Sequence, residues 1–208
     1  MPRGGEPVTR LPQADLEAAA AERRAQAAAA RARRVERERE LAREAARWLG
    51  DDLVDGPFEF REQFEVVVSP GRAHAFLEYL RDGLGFTMFV DCTAVDYLKY
   101  EHGEHPERFA VVWTLANLDQ EAYLRVKAYV DEDDPVIRSA TDLWPGANWA
   151  EREVYDMYGI EFSGHPNLIR LLCPQEFSGH PLRKDYPLRG RGERDNFPVI
   201  RRGVEERY

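Results

Sequence analysis

An α+β fold, with a mixed or antiparallel sheet packed by helices, is what the sequence predicts, and three observations predict it. Residues 123–130 alternate strictly: Tyr123, Arg125, Lys127 and Tyr129 face one way, and Leu124, Val126, Ala128 and Val130 the other. That is the period-two pattern of a half-buried strand. Ala73, Phe76, Leu77 and Leu80 recur at helical spacing instead. Asn117-Leu118-Asp119 is a turn joining the apolar run Phe109–Leu115 to the alternating strand, so those two form a hairpin.

The elements follow in order. Residues 1–12, with Pro2, Gly4, Gly5, Pro7 and Pro12, are expected to be a disordered leader. From Ala14 to Leu49 the chain is Ala, Arg and Glu without Gly or Pro, which favours a long charged helix. Glu36–Arg39, Glu40–Arg43 and Glu44–Arg47 repeat at i,i+3. Its apolar stripe is short (Leu41, Ala45, Trp48, Leu49), so the helix is expected to dock by its last turns only, and residues 1–40 to be dispensable. Phe64–Val68 reads as a strand ended by Ser69-Pro70-Gly71, and a helix over 71–82 stops at Gly83 and Gly85. Phe86–Val90 is strand-like. A last helix runs from about Asn148 to Gly159, with Asn148 as cap and Glu151 completing a capping box.

These assignments divide the chain into a leader with charged helix over 1–50, an α+β domain over 51–160, and an extended tail over 161–208. Pro166, Pro174, Pro181, Pro187 and Pro198 preclude helices and central strands in the tail. It nonetheless carries Leu168, Ile169, Leu171, Leu172, Phe177 and Tyr186, too few to form a second core. Wrapping around a neighbouring protein is the expectation, with the tail mobile in its absence.

Composition excludes several functions. The net charge of −9 is uneven: residues 1–50 and 183–208 are each net +3, leaving the middle at −15. An acidic body repels phosphate backbones, so no nucleic-acid partner is expected. Cys92 and Cys173 cannot supply the four ligands of an iron–sulfur cluster or a structural zinc. No apolar run approaches a membrane span. A phosphate-binding loop is absent, and Gly190-x-Gly192 leads to Asp195 rather than a third glycine.

Two motifs remain. In Glu151-Arg152-Glu153-Val154-Tyr155-Asp156, Arg152 and Asp156 stand i,i+4, and Glu151 with Glu153 invites comparison with an acid–base carboxylate pair. No nucleophile with a base lies nearby, and helix-surface charge is the simpler reading. Ser-Gly-His-Pro occurs twice, at 163–166 and 178–181; each copy is a turn expected to aim an imidazole, His165 or His180, outward toward a partner. A metal set of His165, His180 and Cys173 has neither a familiar spacing nor a fourth ligand. Arg183, Lys184, Arg189, Arg191, Arg194, Arg201 and Arg202 make the tail basic.

Together, Thr141-Asp142-Leu143-Trp144-Pro145-Gly146, the Glu-Arg-Glu helix, Gly159-Ile160-x-Phe162-x-Gly164-His165-Pro166 and Gly179-His180-Pro181-Leu182-Arg183-Lys184-Asp185-Tyr186-Pro187 closely resemble the C-type subunit of bacterial NADH–quinone oxidoreductase, the complex I family with a Glu-Arg-Glu signature. Asp91-x-x-x-x-Asp96-Tyr97 and Glu107-Arg108-Phe109 look like that family too. Many relatives carry consecutive basic residues where this chain has Ile169-Arg170, and residues 1–50 have no counterpart in the resemblance. The resemblance implies a peripheral subunit on the cytoplasmic side of the cell membrane, reaching the bilayer only through its complex. It implies no cofactor on this chain, with FMN and iron–sulfur clusters in partner subunits and no catalytic residues of its own. The equivalent subunit of an energy-converting hydrogenase is the alternative, and a hydrolase using Glu151 and Glu153 the alternative from another class. Partner-contact candidates are Glu151, Arg152, Glu153, Asp156, His165, Arg170, His180, Arg183, Lys184, Asp185 and Tyr186.

Overall fold

A computed structural model describes residues 13–101 and 105–192. The expected leader and residues 193–208 of the tail lie outside the described residues. Helix α1 covers Gln13–Leu49. Every side chain from Glu17 to Arg33 is exposed, as Ala, Arg and Glu without an apolar stripe dictate. Docking begins at Val35 and continues through Glu38, Leu41, Ala42, Ala45 and Leu49, one face at i,i+3 and i,i+4 spacing. Glu38 is 3% exposed and accepts the Tyr123 N–H at 3.0 Å; Arg37 donates to the Gln120 carbonyl, and Arg39 to Glu59 at 2.9 Å. The docked stretch therefore extends to the N-terminal side of residue 40, further than the apolar residues alone suggest.

Removing residues 1–33 is expected to leave unfolding free energy within about 0.5 kcal/mol, since every described side chain it takes, residues 17–33, is exposed. Removing residues 1–40 also takes Val35 and the Glu38 acceptor, and should cost at least about 1 kcal/mol in urea unfolding of the purified chain.

Strand β1 (Leu53–Phe60) turns through Arg61-Glu62 into β2 (Gln63–Val68). Both turn residues have positive φ, 52° and 64°, the conformation a two-residue hairpin needs to match strand twist. β1 is unheralded in the sequence because Asp55-Gly56-Pro57 reads as a loop. As an edge strand it absorbs the proline, with register shifts on both sides of Asp55. Helix α2 spans Pro70–Asp82, and β3 (Met88–Asp96), β4 (Phe109–Asn117) and β5 (Ala122–Val130) follow. Two further three-residue strands, β6 (Val136–Arg138) and β7 (Glu161–Ser163), flank α3 (Ala147–Tyr158) and pair parallel. Three residues are too few to show a period, so neither is visible in the sequence.

The sheet order is β1-β2-β5-β4-β3, mixed because β2 and β5 run parallel while the other pairs are antiparallel. The expected α+β class is what the chain adopts. Phe64, Val66, Trp113, Leu115, Leu124 and Val126 of the sheet pack with Phe76, Leu77 and Leu80 of α2 and Leu41 and Leu49 of α1. α3 lies over β3 and begins at Ala147 behind Gly146, which offers no side-chain cap. Asn148 is thus inside the helix, and the expected capping box does not form. Glu151 turns elsewhere.

Candidate functional site

Helix α3 carries the Glu-Arg-Glu motif, and its side chains sort by direction. Glu151 is fully buried: its carboxylate accepts the Ser139 hydroxyl at 2.6 Å and the Ala140 N–H at 2.7 Å, closing the loop between β6 and α3. Burial pushes its pKa up to about 7 against those two hydrogen bonds. Glu153 is exposed. Two residues apart on a helix is about 200°, so the two carboxylates cannot flank one substrate.

The raised Glu151 pKa sets a pH dependence. The folded chain keeps a proton that the unfolded chain, with a Glu pKa of about 4.3, has released. Between about pH 4.5 and 7 the folded state holds more protons, so its stability falls as pH rises through that window, by on the order of 3 kcal/mol. Glu151→Gln, which keeps an acceptor for Ala140 and a donor for Ser139, should abolish this decline in urea unfolding measured across the same range.

Asp156 occupies another face of α3 and is also fully buried. Its Oδ1 accepts Arg170 Nη1 at 2.7 Å, and its Oδ2 accepts the consecutive N–H groups of Leu171, Leu172 and Cys173 at 3.0, 2.7 and 2.8 Å. Burial alone would raise its pKa; the donors from Cys173, Arg170, Leu172 and Leu171 outweigh burial and hold it below the usual carboxylate value. Arg152, at i,i+4 spacing to Asp156, does not pair with it but donates to the carbonyls of Ile169 (3.0 Å) and Arg170 (3.2 Å) and lies over the Trp149 ring. Both ends of the 169–173 segment are therefore fastened to α3.

The two Ser-Gly-His-Pro turns do not aim their imidazoles outward. His165 Nδ1 accepts the Asn167 N–H at 3.0 Å, which leaves Nε2–H to donate to the Asn148 carbonyl at 3.2 Å, near the start of α3. His180 Nδ1 lies 3.0 Å from the Asp156 carbonyl, near its end. The repeats thus bracket one helix, with their anchoring carbonyls about 12 Å apart along its axis, so the two rings do not share a metal. Burial, the largest influence on both, lowers their pKa values and favours neutral rings. Among the described residues no three His, Cys, Asp or Glu side chains converge as metal ligands.

The second turn completes the C-terminus of α3, whose last carbonyls have no partners within the helix. His180 takes the Asp156 carbonyl, Leu182 N–H the Met157 carbonyl at 3.1 Å, and Arg183 Nε the Tyr158 carbonyl at 2.5 Å. Gly159 takes the Tyr155 carbonyl in a left-handed cap at φ 75°. A Cβ there would meet His180 Nε2 at 2.5 Å and Arg183 Nη2 at 2.7 Å, so glycine is required twice over. Arg183 also brings positive charge to the negative end of the helix dipole.

Beyond it, Lys184 N–H donates to Asp96 at 2.8 Å, and Asp185 accepts Arg108 at 2.8 Å. Asp96, at the end of β3, is buried and takes the Arg108 fork at 3.1 and 2.9 Å and the Leu98 N–H at 2.9 Å. Burial raises its pKa, but Arg108 and the N–H groups of Lys184 and Leu98 bring it below the usual value. Arg108 also pairs with Glu132 and lies over Phe109. Tyr186 packs on Phe177 and against Gly179. Neither Asp96 nor Arg108 is a contact candidate from the sequence. The Asp96-Tyr97 and Glu107-Arg108 dipeptides are the signal that points to them, and only the fold joins them to a segment 77 or more residues away.

Residues 164–192 thus form a strap laid on their own domain, held chiefly by ion pairs and helix-end carbonyls, with Leu168 against the core. Leu171, Phe177 and Tyr186 are half-buried, but Ile169, Leu172, Leu182 and Leu188 are exposed, as is Trp149 beside Arg152. Arg170, Arg183, Asp185 and Asp156 are spent within the chain.

A family profile described as respiratory-chain NADH dehydrogenase, 30 Kd subunit, matches residues 66–192, which spans the sheet from β2, α3 and the whole strap. The chain belongs to that family. It is 48% identical to the C-type subunit of the NADH-quinone oxidoreductase of Citrifermentans bemidjiense over 64% of this chain and 79% of the relative. With the corresponding subunit of Laribacter hongkongensis it shares 42% over 70% of this chain and 75% of the relative. A solved structure of a trypsin-resistant fragment of Nqo5 superposes with a TM-score of 0.54, at 36% identity, covering 65% of this chain and 99% of the fragment. The chain is a complex I subunit by family. α1 and β1 precede the matched region.

Proposed function

We propose that this chain is a peripheral-arm subunit of NADH–quinone oxidoreductase that carries no cofactor of its own and braces the subunits that do. In that reading the assembled enzyme passes electrons from NADH through FMN and iron–sulfur centres to quinone and couples this to proton translocation. The subunit would sit on the cytoplasmic side of the cell membrane, touching it only through its partners. The observation that carries this is the division of labour in the strap. Its His165, Arg170, His180, Arg183 and Asp185 side chains are engaged in holding the fold, while Ile169, Leu172, Leu182 and Leu188, with Trp149 of α3, are exposed. Exposed apolar side chains on a fastened segment suit a protein interface better than a reaction site. No helix among the described residues is long and apolar enough to cross a membrane, which agrees with attachment through partners.

Affinity purification of the tagged full-length chain from detergent-solubilised membranes tests this. The expected result is co-elution of flavin- and cluster-bearing subunits with NADH–quinone activity. Leu172→Glu with Leu188→Glu should lower recovery of that complex at least tenfold while the chain itself still folds. A fully active complex without this chain, or a chain eluting alone with bound flavin or iron, would overturn the proposal.

A further inference from the structure

The helices lie on one face of the sheet, and the opposite face has a different character. Strand register sets the row Phe58, Glu65, Arg125, Thr114 and Asp91 across it, one residue from each strand. Beside it stand Tyr123, Ala116 and Met88 on β5, β4 and β3, with Phe60 opposite Gln63 on β1 and β2. Phe60 is 69% exposed, Tyr123 49%, and Phe58 and Met88 44% each, an apolar rim around a floor of buried Ala116 and Val112. At its centre is Arg125. Its cross-strand neighbour Glu65 is taken by Lys127 at 2.5 Å, and Arg125 has no hydrogen bond or ion pair among the described residues.

Next to Arg125 the sheet opens. Parallel pairing of β2 with β5 covers only Glu65–Val67, and ahead of it lies a cavity of about 260 Å³. Gln63, Thr114, Tyr123 and Arg125 line it from the uncovered face, and Arg34 and Glu38 of α1 from the other side. Arg34, 41% exposed, pairs loosely with Glu38 at 3.9 Å, and its buried Nε makes no hydrogen bond. Glu38 is committed to Tyr123 N–H at 3.0 Å, and Glu62, also on the lining, to Arg31 at 2.5 Å. A guanidinium nitrogen withdrawn from water without an acceptor is costly, and a second, unpaired guanidinium lines the same space. The volume lies below the ~300–1,000 Å³ typical of small-molecule sites and suits a single inserted side chain.

We propose that this uncovered face docks a segment of another subunit, which inserts an Asp or Glu carboxylate between Arg125 and Arg34 and lays apolar residues against Phe58, Phe60 and Tyr123. An arginine anchor beside a pocket, ringed by aromatics, is how protein interfaces concentrate their affinity. Phe58, Phe60 and Arg34 all belong to the segment preceding the family match, so the surface is completed by α1 and β1. The inference rests on the reading of the chain as a subunit of a larger complex.

The test places a benzophenone photo-cross-linker at Tyr123, and separately at Leu188 of the strap, in the full-length chain within its native membranes. The expected result is a Tyr123 adduct to another subunit, with an Asp or Glu in the linked peptide. Arg125→Glu should reduce its yield at least tenfold, Phe60→Ser should reduce it too, and Arg125→Lys should retain part of it. Circular dichroism of each variant shows that the fold persists. No adduct at Tyr123, or one to a second copy of this chain or to its own residues 193–208, while Leu188 links another subunit, would overturn the docking surface and leave the subunit reading standing. If neither position links another protein, both fail.

Discussion

Asp156→Ala is expected to cost about 3–5 kcal/mol of folding stability and to release residues 169–173 from α3. The substitution strands Arg170, whose side chain is 12% exposed, with no carboxylate, and leaves the N–H groups of Leu171, Leu172 and Cys173 without their acceptor. Removing one member of a buried, hydrogen-bonded ion pair is in that range because the remaining charge stays desolvated. Asp156→Asn should be nearly as damaging. Every partner of both Asp156 oxygens is a donor, so the amide of Asn must point its own N–H at another N–H. The pH dependence has a definite sign. The folded pKa of Asp156 is depressed, so its contribution is complete above the unfolded Asp value of about 3.9 and is lost as pH falls below it. Hydrogen exchange should show the 171–173 amides unprotected in Asp156→Ala at pH 7 and protected in the wild type. Wild-type stability in the Ala variant would mean that the strap is held by something other than this carboxylate.

The strap is also where sequence and structure diverge most, for a physical reason. Apolar periodicity marks β4, β5 and α2 because their neighbours across the core impose it, and these elements stand where the pattern predicts. β5 alternates buried and accessible residues along its length. The segment after Gly159 has no periodicity, and counting apolar residues suggests that it has nothing to pack against. Leu168 reaches the core, but what chiefly fastens the segment is polar: Asp156 with Arg170, His180 and Arg183 with the end of α3, and Lys184 and Asp185 with Asp96 and Arg108. Such partners lie 14 to 88 residues apart, and spacing carries no trace of them. Arg152 with Asp156 is the pair that helical spacing offers. It loses because the strap presents carbonyls to Arg152 and a second guanidinium to Asp156. The same blindness affects α1. Leu41, Ala45 and Leu49 place its docked face, but Glu38 is buried beyond them, as only the unpaired Tyr123 N–H explains. Glu151 looks like half of a capping box and is instead the acceptor for a loop eleven and twelve residues upstream.

Arg108→Ala should be comparably destabilising, at about 3–5 kcal/mol, but should free a different part of the strap. Arg108 is 9% exposed and holds Asp96 with two nitrogens while reaching Asp185 and Glu132, so one guanidinium ties β3, β4, the end of β5 and residues 184–185 together. Without it, Asp96 keeps only the Leu98 and Lys184 N–H groups for a buried charge, the case in which loss of a partner costs most. Arg108→Lys should recover only part, because a single ammonium cannot reproduce the fork on Asp96 and still reach Asp185. Asp96→Asn in the Arg108→Ala background should cost far less than in the wild type, since the charge it removes is already unpaired, giving a coupling of about 1–3 kcal/mol in a double-mutant cycle. Between Arg108→Ala and Asp156→Ala, by contrast, the costs should add within about 0.5 kcal/mol, as the two clusters share no partner atom. Hydrogen exchange then separates them by position: loss of protection at Leu182 to Tyr186 in Arg108→Ala, and at Leu171 to Cys173 in Asp156→Ala. If either single substitution released both stretches at once, the strap would be one cooperative unit rather than two independently fastened clasps. Its exposed apolar residues would then reach a partner subunit by undocking as a whole.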